Sequence, residues 1–192
     1  MAHWKPILSP LSLTRSIGSA PATAIPAFSI TLDGVELRLG QLGKGDSWAI
    51  GQHLLALGSA DRRSRFLGNM SDESIAAYAR RLDPVRAILI GAFDSSEHLV
   101  GLAQAHPTET VGKVEVAVSI DEPFRCHGLG RRLVASALAL AFGGGAQSAE
   151  IYYAPGNRSL VALVRALGGR FGPRLGYALI DRGISWNARK AA

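Results

Sequence analysis

Cysteine is almost absent from this sequence, and so are long apolar runs. Cys126 is the one cysteine among the 192 residues, which excludes an intrachain disulfide and a zinc site built on cysteines. The longest apolar run, residues 133–142, is shorter than the roughly 20 residues that span a bilayer. We therefore expect no membrane-spanning segment. A single cysteine fits a reducing compartment, and we predict a cytoplasmic location.

Acidic residues are outnumbered, with 15 Asp and Glu against 21 Lys and Arg and a net charge of +6. A basic surface attracts nucleic acid, a membrane or a multiply phosphorylated cofactor, although many basic proteins have no such partner. Aromatic residues make up only 7% of the chain, and the basic pairs are scattered, so a nucleic-acid platform has little support. The histidines show no metal-ligand spacing. We expect no metal, no nucleic acid and no membrane partner.

The N-terminal residues 1–30 contain no acidic residue and are rich in Ser, Ala and Pro. This composition is compatible with a targeting peptide or with a disordered or loosely docked arm, and we predict the arm. Residues 31–185 are predicted to form one folded domain, which is long enough to bury a core. Residues 186–192 are predicted to be a C-terminal tail.

The most informative stretch is predicted to be a strand, a glycine loop and the start of a helix. In residues 113–121 apolar and polar residues alternate, which is typical of a strand with one apolar face. The segment Arg125-x-x-Gly128-x-Gly130 follows, and a helical apolar pattern begins directly after it. Glycines at a helix start allow positive φ and close approach of a ligand. Together with the helix dipole, the N–H groups of residues 126–131 would form an anion site.

Hydrophobic periodicity and capping residues predict the other elements. Helices are predicted over 47–57, 71–81, 128–142 and 157–167. Strands are predicted over 35–39, 86–93, 99–105, 113–121, 149–154, 170–171 and 175–180.

The loop Arg125-Cys126-His127-Gly128-Leu129-Gly130 resembles the acyl-CoA pyrophosphate loop of the GNAT superfamily of N-acetyltransferases, R/Q-x-x-G-x-G/A. The resemblance spans residues 35–181. The sequence E-V-A-V-S-I-D, followed later by P-x-N-R-S-L, is most similar to that of the Pat-type bacterial protein lysine acetyltransferases. It implies one GNAT-like α/β (α+β) domain, with a mixed, mostly antiparallel sheet of six to seven strands flanked by about four helices.

The resemblance also implies acetyl-CoA as co-substrate and the groups that would hold it. The main chain of Val118 and Ile120 would pair with the pantetheine arm, and the N–H near Ile120 would polarise the thioester carbonyl. Asn157 would either contact the cofactor arm or serve only as a helix N-cap. The loop residues expected to bind the pyrophosphate are Arg125, Cys126, His127, Gly128, Leu129, Gly130 and Arg131.

Glu115 is the predicted catalytic base. It lies on the polar face of its strand, beside the small residues Ala117 and Ser119, which would leave a groove for a substrate. Partial burial would raise its pKa toward the range that suits a general base, and the resemblance places a catalytic glutamate at this strand position. The alternative is a solvated glutamate on an ordinary strand face.

The tyrosine acid of many GNAT enzymes is missing, because Val164 stands at its position. A thiol with a pKa of roughly 8.5 leaves largely as the thiolate, so this loss need not stop catalysis. The predicted function is direct acetyl transfer from acetyl-CoA to a primary amine, with a lean toward protein lysine side chains. The alternatives are a small-molecule amine acetyltransferase and a catalytically degenerate acyl-CoA-binding sensor module.

Overall fold

The computed structural model describes residues 26–183, which form eight strands and five α-helices in the order β-β-α-α-α-β-β-β-α-β-α-β-β. The helices are α1 (Ser47–Ala56), α2 (Ser59–Phe66), α3 (Asp72–Arg81), α4 (Leu129–Gly143) and α5 (Arg158–Ala166). The strands are β1 (Phe28–Leu32), β2 (Val35–Gln41), β3 (Ile88–Phe93), β4 (Leu99–Pro107), β5 (Lys113–Ile120), β6 (Ser148–Tyr152), β7 (Arg170–Phe171) and β8 (Tyr177–Asp181). The predicted arm up to residue 25 and the predicted tail lie outside the described residues.

All eight strands form one mixed sheet in the order β1-β2-β3-β4-β5-β6-β8-β7. Neighbouring strands are antiparallel except β5 and β6, which run parallel. The parallel pair needs a crossover, and α4 supplies it. The predicted α+β class with a mostly antiparallel sheet is therefore confirmed.

Strand β1 and helix α2 are the two elements that the sequence analysis missed. β1 pairs with β2 through a turn at Asp33 and Gly34, which both have positive φ, and this is the geometry of a tight hairpin turn. The sheet therefore extends back to Phe28, inside the segment predicted as an arm. The sequence of α2 is mostly polar and therefore shows no apolar periodicity. In the structure, only Arg65 and Phe66 on this helix are buried. These two elements account for eight strands and five helices in place of seven and four.

Helices cover both faces of the sheet. α4 and α5 bury residues such as Leu133, Leu138 and Val164 in one core cluster with β5 and β6. α1 and α3 bury residues such as Leu54 and Ile75 in a second cluster with β3 and β4. The helices thus bury both faces of the central strands. Within the sheet, β5 and β6 are paired over only three residues.

Candidate active site

The two parallel strands β5 and β6 pair over only three residues and then separate. Their register pairs end at Glu115 opposite Glu150, whereas β5 continues to Ile120. Beyond Glu115, one edge of β5 therefore has no strand beside it among residues 26–183. Strands that separate in this way leave a cleft bordered by main-chain hydrogen-bonding groups.

Val118 and Ile120 place their main-chain groups on that open edge. The N–H of Asp121 donates to the carbonyl of Val100 on β4 at 2.9 Å. Because main-chain groups alternate sides along a strand, those of Val118 and Ile120 point away from β4. The Ile120 carbonyl accepts from Arg125 Nε at 2.9 Å. The Ile120 N–H and both main-chain groups of Val118 are in position to pair with an extended ligand.

The loop before α4 carries N–H groups that have no acceptor among residues 26–183. In the described part of the chain, none of residues 126–131 donates a main-chain hydrogen bond, and the first bond of the helix runs from Arg132 N to Gly128 O. Gly128 is the N-cap at φ +84°, and Cys126 also has positive φ. Successive amides around such residues form an anion-binding concavity, to which the helix N-terminus adds positive potential.

Gly130 serves packing rather than a special backbone angle. A Cβ at this position would lie 3.3 Å from Leu163 Cδ1 and 3.8 Å from Ile120 Cγ1. The absence of a side chain thus lets the first turn of α4 approach both α5 and the end of β5 closely. The motif holds the amide loop against the open edge of the sheet.

The side chains of the loop point to different surroundings. Arg125 donates from Nη2 to Asp61 Oδ2 on α2 at 2.9 Å, in addition to its bond with Ile120, so it braces the loop against α2. His127 forms an ion pair with Asp33 in the β1–β2 turn when it is protonated. Leu129 is buried in the core, whereas Cys126 and Arg131 are exposed. The predicted roles of these residues in cofactor binding therefore depend mainly on their N–H groups.

Glu115 lies half-buried at the point where the two strands separate. Burial raises the pKa of its carboxyl, the positive charge of Arg65 offsets part of that rise, and the neighbouring Glu150 adds to it. A carboxylate with a raised pKa is a stronger base than one in water. Glu115 thus lies beside the cleft, and its catalytic role stays a prediction.

Glu150 is a second carboxylate at this point, and the sequence analysis did not select it. Its oxygens accept from Lys113 Nζ at 3.0 Å, from the Tyr177 hydroxyl at 3.1 Å and from the Tyr152 hydroxyl at 3.3 Å. These three contacts hold the Glu150 carboxylate in place between β5 and β8. The available sequence signal was a glutamate between two apolar strand residues, as at Glu115.

Near Glu115, a cluster of buried polar side chains joins α2, α3 and β4. The Tyr78 hydroxyl donates to Gln104 Oε1 at 2.8 Å, and Arg65 Nη2 contacts both groups. Burial and the charge of Arg65 lower the pKa of His106 to about 4, so this side chain is neutral at pH 7. Its Nε2 is enclosed, although part of the residue reaches the surface. The cluster thus places one buried positive charge near Glu115.

Asn157 has structural partners at both ends of its amide. Its Oδ1 accepts from Leu160 N at 3.0 Å, which makes it the N-cap of α5, and its Nδ2 donates to Ser64 Oγ on α2 at 2.9 Å. This arrangement supports the N-cap interpretation. The contact with a cofactor remains a prediction.

Within residues 26–183, α5 itself carries no tyrosine in place of the missing acid. Val164 is fully buried in the core. The phenols nearest in the sheet, Tyr152 and Tyr177, each have a pKa raised to about 12 by burial and by Glu150. A phenol with that pKa is a poor donor to a departing thiolate.

Comparison with known proteins identifies the family to which this arrangement corresponds. Residues 55–168 match the model of the acetyltransferase (GNAT) family. The GNAT domain of PAT from S. lividans has a TM-score of 0.66 at 14% identity, over 80% of this chain and 94% of that one. The ribosomal-protein-S5-alanine acetyltransferase from Vibrio fischeri has a TM-score of 0.63 at 13% identity, over 84% and 100%.

A third structure adds a ligand-bound example. PaiA N-acetyltransferase from Thermoplasma acidophilum, solved in complex with coenzyme A, has a TM-score of 0.57 at 13% identity, over 76% of this chain and 98% of that one. At these identities the likeness to the three structures shows the fold alone. No curated protein is significantly similar to this chain in sequence.

Two further features bear on partners. Among residues 26–183, no helix is both long enough and apolar enough to cross a membrane. The same residues contain no group of three or more His, Cys, Asp or Glu side chains arranged to hold a metal ion.

Proposed function

Because this chain belongs to the GNAT family of acetyltransferases, we propose that it transfers the acetyl group of acetyl-CoA directly to a primary amine. The observation that carries the proposal is the juxtaposition of the open β5 edge with the amide loop. The loop offers N–H groups without protein acceptors, and β5 offers an unpaired edge. A ligand with a diphosphate at one end and an extended amide-bearing arm complements both.

The cofactor is held by main-chain groups in this proposal. The N–H groups of residues 126–131 bind the diphosphate, and Val118 and Ile120 pair with the pantetheine arm as a further strand would. The net positive charge of the chain favours such an anionic ligand. The carbonyl of the thioester then lies beside the end of β5, where a main-chain N–H polarises it.

Glu115 lies about 13 Å along β5 from the stretch that faces the thioester, so in this proposal it accepts through intervening water the proton that an ammonium must lose before it can attack. The amine nitrogen then adds to the thioester carbon and a tetrahedral intermediate forms. The nitrogen loses its second proton to solvent, and the C–S bond breaks to release CoA thiolate and the amide. The raised pKa of Glu115 supports this role. Since the described helix α5 carries no tyrosine, and the pKa of Tyr152 and of Tyr177 is raised to about 12, the thiolate leaves in this proposal without a tyrosine acid and takes its proton from solvent.

Protein lysine is the acceptor that we propose first. The resemblance of the loop and of the β5 sequence to Pat-type enzymes supports a lysine acceptor. The fold shared with the S. lividans PAT domain supports it as well. A small amine is the alternative acceptor. A degenerate sensor is the alternative to an enzyme, and Val164 in place of a tyrosine is the feature that favours it.

Thiol release from acetyl-CoA, measured with lysine peptides and a panel of small amines, tests the proposal. We expect amine-dependent thiol release by the native chain and a loss of about 10²- to 10⁴-fold in Glu115→Gln, with acetyl-CoA binding retained. Glu36→Gln is the matched control, because Glu36 is an exposed strand glutamate far from the cleft in the sheet order. Binding of acetyl-CoA without turnover on any amine would favour the sensor.

A further inference from the structure

His53 of α1 is buried against the end of β5 and contacts two side chains there. Its Nε2 lies 2.8 Å from Ser119 Oγ, and its Nδ1 lies 3.0 Å from Asp121 Oδ1. The histidine side chain is fully buried, whereas that of Asp121 is 29% exposed. Serine on Nε2 and aspartate on Nδ1 is the arrangement of a Ser-His-Asp triad, which is recognised by its geometry rather than by its sequence order.

The proton positions follow from the chemistry of the three groups. An ionised carboxylate only accepts hydrogen bonds, so a neutral imidazole that pairs with Asp121 would carry its proton on Nδ1. Nε2 is then free to accept the proton of the Ser119 hydroxyl. The Nδ1–Oδ1 contact has an ion-pair distance but misses hydrogen-bond geometry, and in enzymes without substrate such contacts are often poorly aligned.

Ser119 occupies the stretch of β5 where the proposed function places the thioester, and the inference rests on that function. It stands between Val118 and Ile120, the two residues whose main chain faces the open edge. Neighbouring residues of a strand are about 3.3 Å apart, so Ser119 is adjacent to the N–H that would polarise the thioester carbonyl. Glu115 stands four residues earlier, about 13 Å along the strand.

We propose that Ser119 is a second nucleophile, which makes this chain an acyl-CoA hydrolase when no amine is bound. The Ser119 proton passes to His53 Nε2 while Oγ attacks the thioester carbon. The C–S bond breaks, the thiolate takes the proton from Nε2, and acetyl-Ser119 remains. Water then gives a proton to Nε2 and attacks the ester, which releases acetate and restores the serine. The net reaction consumes one acetyl-CoA and one water and yields acetate and CoA.

The test is thiol release from acetyl-CoA by the full chain without any amine, followed by mapping of the acetylated peptide. We expect a burst of one thiol per chain, slower turnover and acetate as product, with the acetyl group on Ser119. Ser119→Ala removes both the burst and the label, and His53→Gln slows amine-free thiol release by about a hundredfold. Ser119→Cys retains a nucleophile and accumulates the acetyl group as a thioester.

Ser148→Ala is the matched control, because Ser148 is as buried as Ser119 but lies on β6. It leaves the amine-free reaction unchanged. Stabilisation of each variant by acetyl-CoA in a thermal shift shows that its cofactor site is folded. Wild-type rates of amine-free thiol release in Ser119→Ala, or a label on another residue, would overturn the inference while leaving amine acetylation intact. A native chain that acetyl-CoA does not stabilise would overturn the proposed function as well.

Discussion

Glu115 of β5 lies directly opposite Glu150 of β6, in the last pair before these two strands separate. The two carboxyls have different surroundings. Glu150 accepts from three donors, whereas burial and the charge of Glu150 raise the pKa of Glu115. We therefore expect Glu150 to serve a structural role and Glu115 to serve proton transfer.

The pH dependence of turnover should report the Glu115 carboxyl. Since the base acts when deprotonated, kcat/KM rises with pH through the raised pKa of Glu115 and levels off above it. Removing the Arg65 charge takes away the interaction that lowers this pKa. In Arg65→Gln we therefore expect the acidic limb of the profile to move to higher pH.

The matched variants separate charge from packing. Arg65→Lys keeps the charge and should keep the limb near its native position. Arg63→Gln removes an exposed arginine of the same helix and should leave it unchanged. An acidic limb at the same pH in Arg65→Gln as in the native enzyme would contradict the electrostatic link.

The half-buried His106 should make folding stability fall in mild acid. Its pKa is lowered from 6.5 to about 4, so the unfolded chain binds more protons than the folded one between these values. Stability from this group is complete above pH 6.5 and is lost as the pH falls toward 4. At about 1.4 kcal/mol per pKa unit, the effect reaches about 3 kcal/mol. Denaturant unfolding across this range should show a shallower pH dependence in His106→Gln than in the native chain.

Gly128→Ala should weaken acetyl-CoA binding more than it weakens the fold. A Cβ at Gly128 meets no atom within 4 Å, so the penalty is the positive φ alone, about 1–2 kcal/mol. Gly145→Ala is the control, because Gly145 has positive φ and equally open surroundings but lies after α4. Both variants should lose similar thermal stability, and only Gly128→Ala should need more acetyl-CoA for half-maximal stabilisation. Equal acetyl-CoA dependence in the two variants would argue against a loop that grips the cofactor.

Asn157→Ala distinguishes the two roles considered for this residue. Loss of the N-cap of α5 costs about 1 kcal/mol, so unfolding by denaturant should require less denaturant in either case. Asn157→Ser keeps a capping oxygen and should recover most of that stability. If the amide also contacts the cofactor, both variants raise the KM for acetyl-CoA, whereas an N-cap role alone leaves that KM unchanged.

The strand–loop–helix unit around Gly128 was predictable because its signals are local. Alternation along β5 and the two glycines before α4 specify the elements in which they occur. α2 was missed because a polar helix lacks apolar periodicity. β1 was missed although Asp33-Gly34 is a hairpin signal, because the residues before it resemble an arm in composition.

The surroundings of the site were not predictable because they depend on distant pairings. The opposition of Glu115 and Glu150 depends on the register of a parallel pair joined by a crossover helix. The contact of Asn157 with Ser64 joins residues 93 positions apart, and the burial of Arg65 depends on where α2 packs. The cytoplasmic location and the boundaries of the arm and tail stay predictions.

The placement of the cofactor is tested most directly by the change in backbone amide resonances when coenzyme A is titrated into the full chain. We predict that the N–H groups of residues 126–131, with those of Val118 and Ile120, show the largest shifts and become protected from exchange. Saturable binding with unchanged resonances at these residues, or no binding at all, would contradict the placement of the cofactor on which the proposed function depends.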